Sequence, residues 1–568
     1  MSIIYVYSLS QVDKAQESGS CITRVRIAQR VFNNIRKVST VKTKINIFIV
    51  FILILGLCYA FDSHAADYEI SSCQITSDKK IHIIANMPSD AGLYAMQVSQ
   101  DITQGVLLPY TINGTTYIAD LYYNGQSLLS CQFAFCRETD NGRIQLGNSF
   151  YITNPEVLSQ NAPARKDNGI KGLLPASTNA EEYKALGVKQ LMFNMEIGTL
   201  LGKSSGKNTI EWHKDGQVFY FKTSALEQFD RFSKWCEENG FQLNMTLLNA
   251  ESSRNTNLIH PDASDGTKCP TYAFNTGTDD GVTALKAVAS FLATRYSGGE
   301  YGTIDNWFIG NQVNCRTEWY YHSSTDLNVN VQEYIKAYRI FYNEIKSVNK
   351  NADVYISLDQ EWNKRSNQGC FLSREYLSRF AYWMIRGGNI DYAVSIHPYN
   401  APLYDPYAYL PQEEYVWQTE DSPYLTMSNI ELFIDEMKKE QYLSPSGTIR
   451  HLMISEVGYS SSISEEAQAA SIAYAYARAA SFPEIKGFIL FRDIDNEYEV
   501  SQGLANGLKR ADGSVKLAYQ LYQAIGTPAW SQYDTLYKQI TGYTLQDSVK
   551  HQYSRTGWER EEETENDT

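Results

Sequence analysis

One pattern restricts this chain more than any other. A short apolar run followed by an amphipathic stretch recurs eight times between residues 161 and 530. KGLLP leads into NAEEYKALG, and VKQLMFNMEI leads, after an insertion, into SALEQFDRFSKWCEENG. FQLNMTLLNA is followed across a long loop by GVTALKAVASFLATRY, and IDNWFIGNQVN by VQEYIKAYRIFYNEIKSVN. ADVYISLDQEW, NIDYAVSIHPYN, RHLMISEVGYS and IKGFILFRDID each precede a further helical stretch. Strands this apolar are buried on both faces, and their alternation with helices indicates a parallel sheet covered by helices. Eight units predict a (β/α)8 barrel. A doubly wound sheet is the alternative, but no Gly-rich phosphate loop follows the first strand.

A chain of 568 residues is too long for one ordinary domain. Residues 67–160 carry short alternating runs (KIHIIANM, TTYIADLYY, LSCQFAFC, NSFYIT) separated by Gly, Asn, Asp and Ser, the pattern of a small all-β sandwich. Residues 531–568 are polar and end in EREEETENDT, the composition of a solvated acidic tail. Ahead of the sandwich, Lys37, Lys42 and Lys44 precede the apolar run Ile45–Ala60, and Ser63-His64-Ala65 resembles a cleavage site. Residues 1–66 are therefore expected to contain a signal peptide that directs secretion. An uncleaved membrane anchor is the alternative, although the apolar run falls short of the ~20 residues a span needs. The net charge of −14 argues against nucleic acid or an anionic membrane surface as partner. Of nine cysteines, Cys21 and Cys58 precede the sandwich; the other seven match no zinc spacing. With eight unclustered His as well, no metal site and no cofactor are expected, and the chain reads as a monomer.

If the barrel forms, its strand C-termini converge on one pocket. They bring Asn194 and Glu196, then Asn249, then Asn311, Gln312 and Asn314 with Glu318 and Trp319 just beyond. Asp359, Glu361 and Trp362 follow, then His397 and Tyr399, then Glu456 and Tyr459, and last Arg492, Asp493 and Asp495. Glu456 ends a buried run and is followed at once by Gly458 and Tyr459, which makes it the leading candidate nucleophile. The plainer reading is a solvated strand-end Glu that caps the next helix.

GNQVN at the end of strand four, HPYN at the end of strand six and SEVGY at the end of strand seven resemble the clan A retaining glycoside hydrolases. Residues 67–530 are similar to an uncharacterised secreted family of bacterial glycosidase-like proteins with a sandwich ahead of such a barrel. The resemblance implies a secreted retaining glycosidase acting on a poly- or oligosaccharide. In it Glu456 is the nucleophile, Asn311 holds a substrate hydroxyl, and His397 and Tyr399 position the nucleophile or the sugar. Asn194, Asn249, Trp319, Trp362, Tyr459 and Arg492 are the further sugar-binding candidates, with Trp417 as another possible platform.

Two positions depart from that pattern. The acid/base position is Gln312, and a carboxamide cannot donate a catalytic proton. Either Glu361 (the favoured candidate) or Glu318 supplies the second carboxyl, or the leaving group needs no proton, as in the plant thioglucosidases that also carry Gln here. The third possibility is a glycan-binding protein that cleaves nothing. Strand eight carries Arg492 where the clan usually has Trp. Arg492 is expected to lower the pKa of Glu456, to grip an acidic sugar, or to pair with Asp493 or Asp495. A Ser-His-Asp esterase is excluded by the absence of a nucleophile elbow.

Overall fold

The computed structural model describes residues 68–250 and 256–554. The expected signal peptide and the EREEETENDT run lie outside them. Among the described residues no helix is long and apolar enough to cross a membrane.

Two four-stranded antiparallel sheets come first. One orders Glu69–Ile75, Lys80–Asn86, Thr116–Asp120 and Thr111–Asn113; the other orders Gly142–Tyr151, Gln132–Thr139, Gly92–Met96 and Val106–Leu107. Alternation decides what lies between them: Ile81 and Ile83 are buried, while Lys80 and Ile84 face out. Tyr117 of the first sheet meets Phe135 of the second edge to face, with ring centroids 4.5 Å apart. This sandwich is fastened to the barrel helices. Asn343 donates to the Leu129 carbonyl at 2.8 Å, Tyr151 N to Gly387 O at 2.9 Å, and the buried Lys286 ammonium to Ser127 O at 3.2 Å.

The predicted barrel is present. Eight parallel strands close in sequence order: Lys171–Leu173, Gln190–Glu196, Gln242–Leu248, Asn306–Ile309, Asp353–Leu358, Ala393–Ile396, Leu452–Val457 and Ile485–Leu490. Residues alternate between two cores. Met192, Phe308, Tyr355, Ala393, Met453 and Ile489 fill the barrel interior. Leu191, Leu243, Ile309, Ile356 and Ile454 face the helices outside. Each such fully buried aliphatic contributes roughly 1.5–3 kcal/mol of transfer free energy. The insertion after strand two is a three-stranded antiparallel sheet of Leu201–Gly202, Thr209–Lys214 and Gln217–Lys222.

The chain beyond position 531 departs from the expected tail. Asp534–Thr541 and Leu545–Ser554 are helices, and Tyr537 and Leu545 are buried in the barrel's outer core. The stretch is polar on average but amphipathic at helical spacing, so its apolar stripe docks.

Candidate active site

The mouth of the barrel holds a cavity of about 780 Å³. Strand seven shows how the backbone aims a side chain into it. By strict alternation Ser455 would point inward and Glu456 outward. The pairing with strand eight shifts between Ile454 and Val457: three steps on strand seven face two on strand eight, from Phe488 to Leu490. This one-residue bulge lets both Ser455 and Glu456 line the cavity. Gly458 follows because a Cβ there would collide with the Phe491 carbonyl.

Glu456 is held from two sides. Tyr399 donates its hydroxyl to Glu456 Oε1 at 2.7 Å, and His397 Nδ1 lies 4.0 Å from Oε2. The side chain keeps 29% of its surface open to the cavity. Enclosure raises its pKa; the Tyr399 hydrogen bond and the Arg492 charge pull it back down.

His397 is buried beneath the floor and does not line the cavity. Gln312 Nε2 donates to its Nδ1 at 2.9 Å, so the ring proton sits on Nε2 and reaches Ser455 Oγ at 2.9 Å. Burial pushes the imidazole pKa down to about 3, so the ring is a neutral strut. Gln312 itself has φ of 41°, a left-handed conformation rare for a residue with a side chain. Strain of this kind clusters at functional sites.

Glu361 also lines the cavity and is 5% exposed. Ser366 donates to Oε1 from its backbone N–H at 2.8 Å and from its hydroxyl. Oε2 is buried with no partner among the described residues. Burial and the Asp359 charge raise its pKa, Ser366 lowers it, and Glu318 raises it slightly.

The other candidates divide. Asn194, Glu196, Asn311, Glu318, Trp319 and Asp359 line the cavity. Glu196 Oε2 accepts from Ala250 N at 2.9 Å, and burial raises its pKa. Asn249, Trp362, Trp417 and Tyr459 do not line it. Asn249 is spent on the Leu258 and Ala273 carbonyls. Trp362, 1% exposed, packs edge-on against Phe433, because Asn363 N bonds Pro423 O and turns the loop inward. Tyr459 is fully buried, and Trp417 Nε1 donates to the Glu413 carbonyl. Asn314 braces Asp359 from below at 2.9 Å.

Arg492 pairs with Glu499 at 2.7 Å rather than with Asp493 or Asp495. Asp493 is taken by Ala176 N and the Tyr183 hydroxyl, and Asp495 by Lys516. Arg492 is not itself among the residues that line the cavity; it backs the lining residue Glu499, and its charge lowers the Glu456 pKa. Sequence reasoning missed Glu499, Tyr498, Tyr415, Tyr424 and Asn506, which complete the wall. The NEYEV run after strand eight was the available signal for the first two.

Two clusters outside the cavity floor hold metal-type ligand atoms within 4.8 Å of one another: His260, Asp262 and His322, and Cys315, Glu318 and Cys370. In the first, each Nδ1 accepts a backbone N–H, from Asp262 and from Ser324. Each neutral ring therefore carries its proton on Nε2 and offers no free lone pair. In the second, Cys315 donates its thiol proton to Asp359 at 2.7 Å, and the Cys370 side chain, burial and the Asp359 charge raise its pKa well above the ordinary thiol value. The sequence spacing did not reveal that Cys315 and Cys370 meet. All seven described cysteines are free thiols.

Fold and site together define a (β/α)8-barrel protein with a cavity of carboxylates, amides and aromatics at the C-terminal rim. The chain belongs to the family of unknown function DUF5722, whose family model matches residues 163–549. Among solved structures it is similar to a family 39 glycoside hydrolase from Bacteroides cellulosilyticus WH2, at 14% identity and a TM-score of 0.43, covering 81% of this chain and 80% of that one. It is also similar to GH5_18 from Bifidobacterium longum subsp. longum, at 11% identity and a TM-score of 0.41, covering 64% and 79%. A β-glucuronidase from Bacteroides uniformis matches at 11% identity and a TM-score of 0.36, covering 80% of this chain and 49% of that one. A comparison with curated proteins gave no match.

Proposed function

We propose that this chain is a secreted glycoside hydrolase that acts with retention on a poly- or oligosaccharide, with Glu456 as nucleophile. The observation that carries the reading is the 2.7 Å hydrogen bond from Tyr399 to Glu456 at the floor of a deep polar cavity. It fixes one carboxylate oxygen and leaves the other to attack. Amides of Asn194, Asn311 and Asn506 suit sugar hydroxyls, and Trp319 and Tyr498 offer faces for pyranose rings. Glu361 is the proton donor in this reading. Burial raises both carboxyl pKa values, but the neighbours differ: Tyr399 and Arg492 favour the ionised form of Glu456, and Asp359 disfavours that of Glu361. Opposed neighbours of this kind separate nucleophile from acid. Secretion rests on the basic, apolar and small-residue pattern between Lys37 and Ala65.

The second reading, a glycan-binding protein without turnover, is favoured by Gln312, a carboxamide at the position where the clan carries its acid. A hydrolysis screen of aryl glycosides and polysaccharides, run beside Glu456→Gln, separates the two. Turnover lost in the variant supports the hydrolase. Glycan binding with no turnover supports the binder, and turnover that survives the substitution refutes the role of Glu456.

A further inference from the structure

Two buried cysteines meet at the seam between the loops that follow strands four and five. The sulfurs of Cys315 and Cys370 lie within 4.8 Å of each other, and the residues are 3% and 1% exposed. The backbones run side by side at this point. Phe371 N donates to Asn314 O at 2.8 Å, and the Asn314 amide donates to Phe371 O at 3.0 Å, each one residue from a cysteine. Gly369 permits the approach, since a Cβ there would lie 2.3 Å from Thr317 Oγ1. Asn367 completes the seam by donating to Thr317 Oγ1 at 3.2 Å and to Glu318 Oε1 at 2.7 Å. Both loops carry cavity wall: Glu318 and Trp319 on one, Glu361 and Ser366 on the other. A disulfide needs two cysteines on neighbouring backbones with their sulfurs close, so the bond asks for side-chain rotation rather than for a loop to travel.

We propose that Cys315 and Cys370 are joined by a disulfide in the secreted protein, which fastens the loop carrying Trp319 to the loop carrying Glu361. This rests on the secreted reading above, because disulfides form and persist in oxidising compartments. Each thiol gives up its proton, a sulfur–sulfur bond forms, and the two electrons reduce a small disulfide oxidant of the glutathione type to two thiols. Both cysteines are buried too deeply for such an oxidant to reach them in the folded chain, so the bond forms while the chain folds or when the loops open. Closing it withdraws the proton that Cys315 donates to Asp359. Asp359 keeps three other donors, the Asn314 amide, the Ser373 hydroxyl and Glu361 N.

The test uses the full chain purified with its thiols reduced. It is held in glutathione buffers that run from reducing to the poise of an oxidising compartment, in urea below the unfolding transition so that the loops open. Remaining thiols are alkylated, and the digested peptides are mapped by mass spectrometry. The expected result in the oxidising buffers is one cross-linked pair, Cys315 with Cys370, while Cys73, Cys131, Cys136, Cys236 and Cys269 are alkylated. The bond closes a loop of about 55 residues, so Tm should fall by roughly 4 °C when it is reduced. Cys315→Ser and Cys370→Ser should lose that dependence on redox poise. Alkylation of both cysteines in every buffer, a bond from either to another cysteine, or stoichiometric zinc that protects both from alkylation overturns the proposal. Export is read separately, from the N-terminus of chain recovered outside the cells that make it. A chain that forms the bond but is not exported would refute the secreted reading and leave the pairing standing.

Discussion

Replacing Tyr399 with Phe removes one hydrogen bond and nearly nothing else. The ring is 7% exposed, so its packing stays, and the loss is the 2.7 Å contact with Glu456 Oε1. A hydrogen bond to a charged group is worth about 1.5–3 kcal/mol. At 1.36 kcal/mol per pH unit this amounts to a rise of about 1–2 units in the Glu456 pKa. Glu456 must be ionised to attack, so activity should fall on the acid side and recover as pH rises through the new value. At a pH below the old value the loss in kcat/KM should reach about 10- to 150-fold, and it should shrink as the pH rises through the new value. The assay is a pH–rate profile of kcat/KM for an activated aryl glycoside, with protein and variant side by side. An acid limb that does not move would refute the reasoning, because the hydroxyl would then not be holding the reacting carboxylate.

Four further outcomes follow from the same geometry. With Glu361 as the proton donor, Gln312→Glu should leave the ratio of rates on poor and activated leaving groups nearly unchanged; a gain of about 10²–10⁴-fold on poor leaving groups alone would contradict this and mean that Glu361 is not the acid. Arg492→Met should move the acid limb to higher pH, since the Arg492 charge lowers the Glu456 pKa; a shift to lower pH would contradict it. Glu361→Gln should abolish the alkaline limb, because the protonated form is the one that acts, and a profile that keeps its alkaline fall assigns the acid elsewhere. Trp362→Ala should destabilise the fold by about 3–5 kcal/mol in chemical denaturation, whereas Trp319→Ala, at a position 40% exposed, should weaken glycan binding with little change in stability. The reverse pattern would mean the two rings had been assigned the wrong way round.

The barrel was legible because its strands are apolar enough to be buried on both faces and its helices amphipathic enough to cover them. The strand-end residues were legible for the same reason: once eight units are counted, their C-termini must converge. What sequence spacing could not show is direction. Glu456 faces the cavity through a bulge that strict alternation would not predict. Trp319 and Trp362 each directly follow a Glu, yet Trp362 is 1% exposed and Trp319 is 40% exposed at the rim. Arg492 lies beside Asp493 in sequence and pairs with Glu499, because Ala176 and Tyr183 already occupy Asp493. Such contacts are set by closure of the barrel, which joins residues hundreds of positions apart.

The central claim is that Glu456 forms the covalent bond to the sugar. The direct measurement is trapping with an activated 2-deoxy-2-fluoro glycoside of a sugar the chain hydrolyses, followed by peptide mapping in a mass spectrometer. The account predicts one glycosyl ester, on the peptide containing Leu452–Tyr459 and at Glu456. An ester on Glu361, or continued turnover with no labelled peptide, would contradict it.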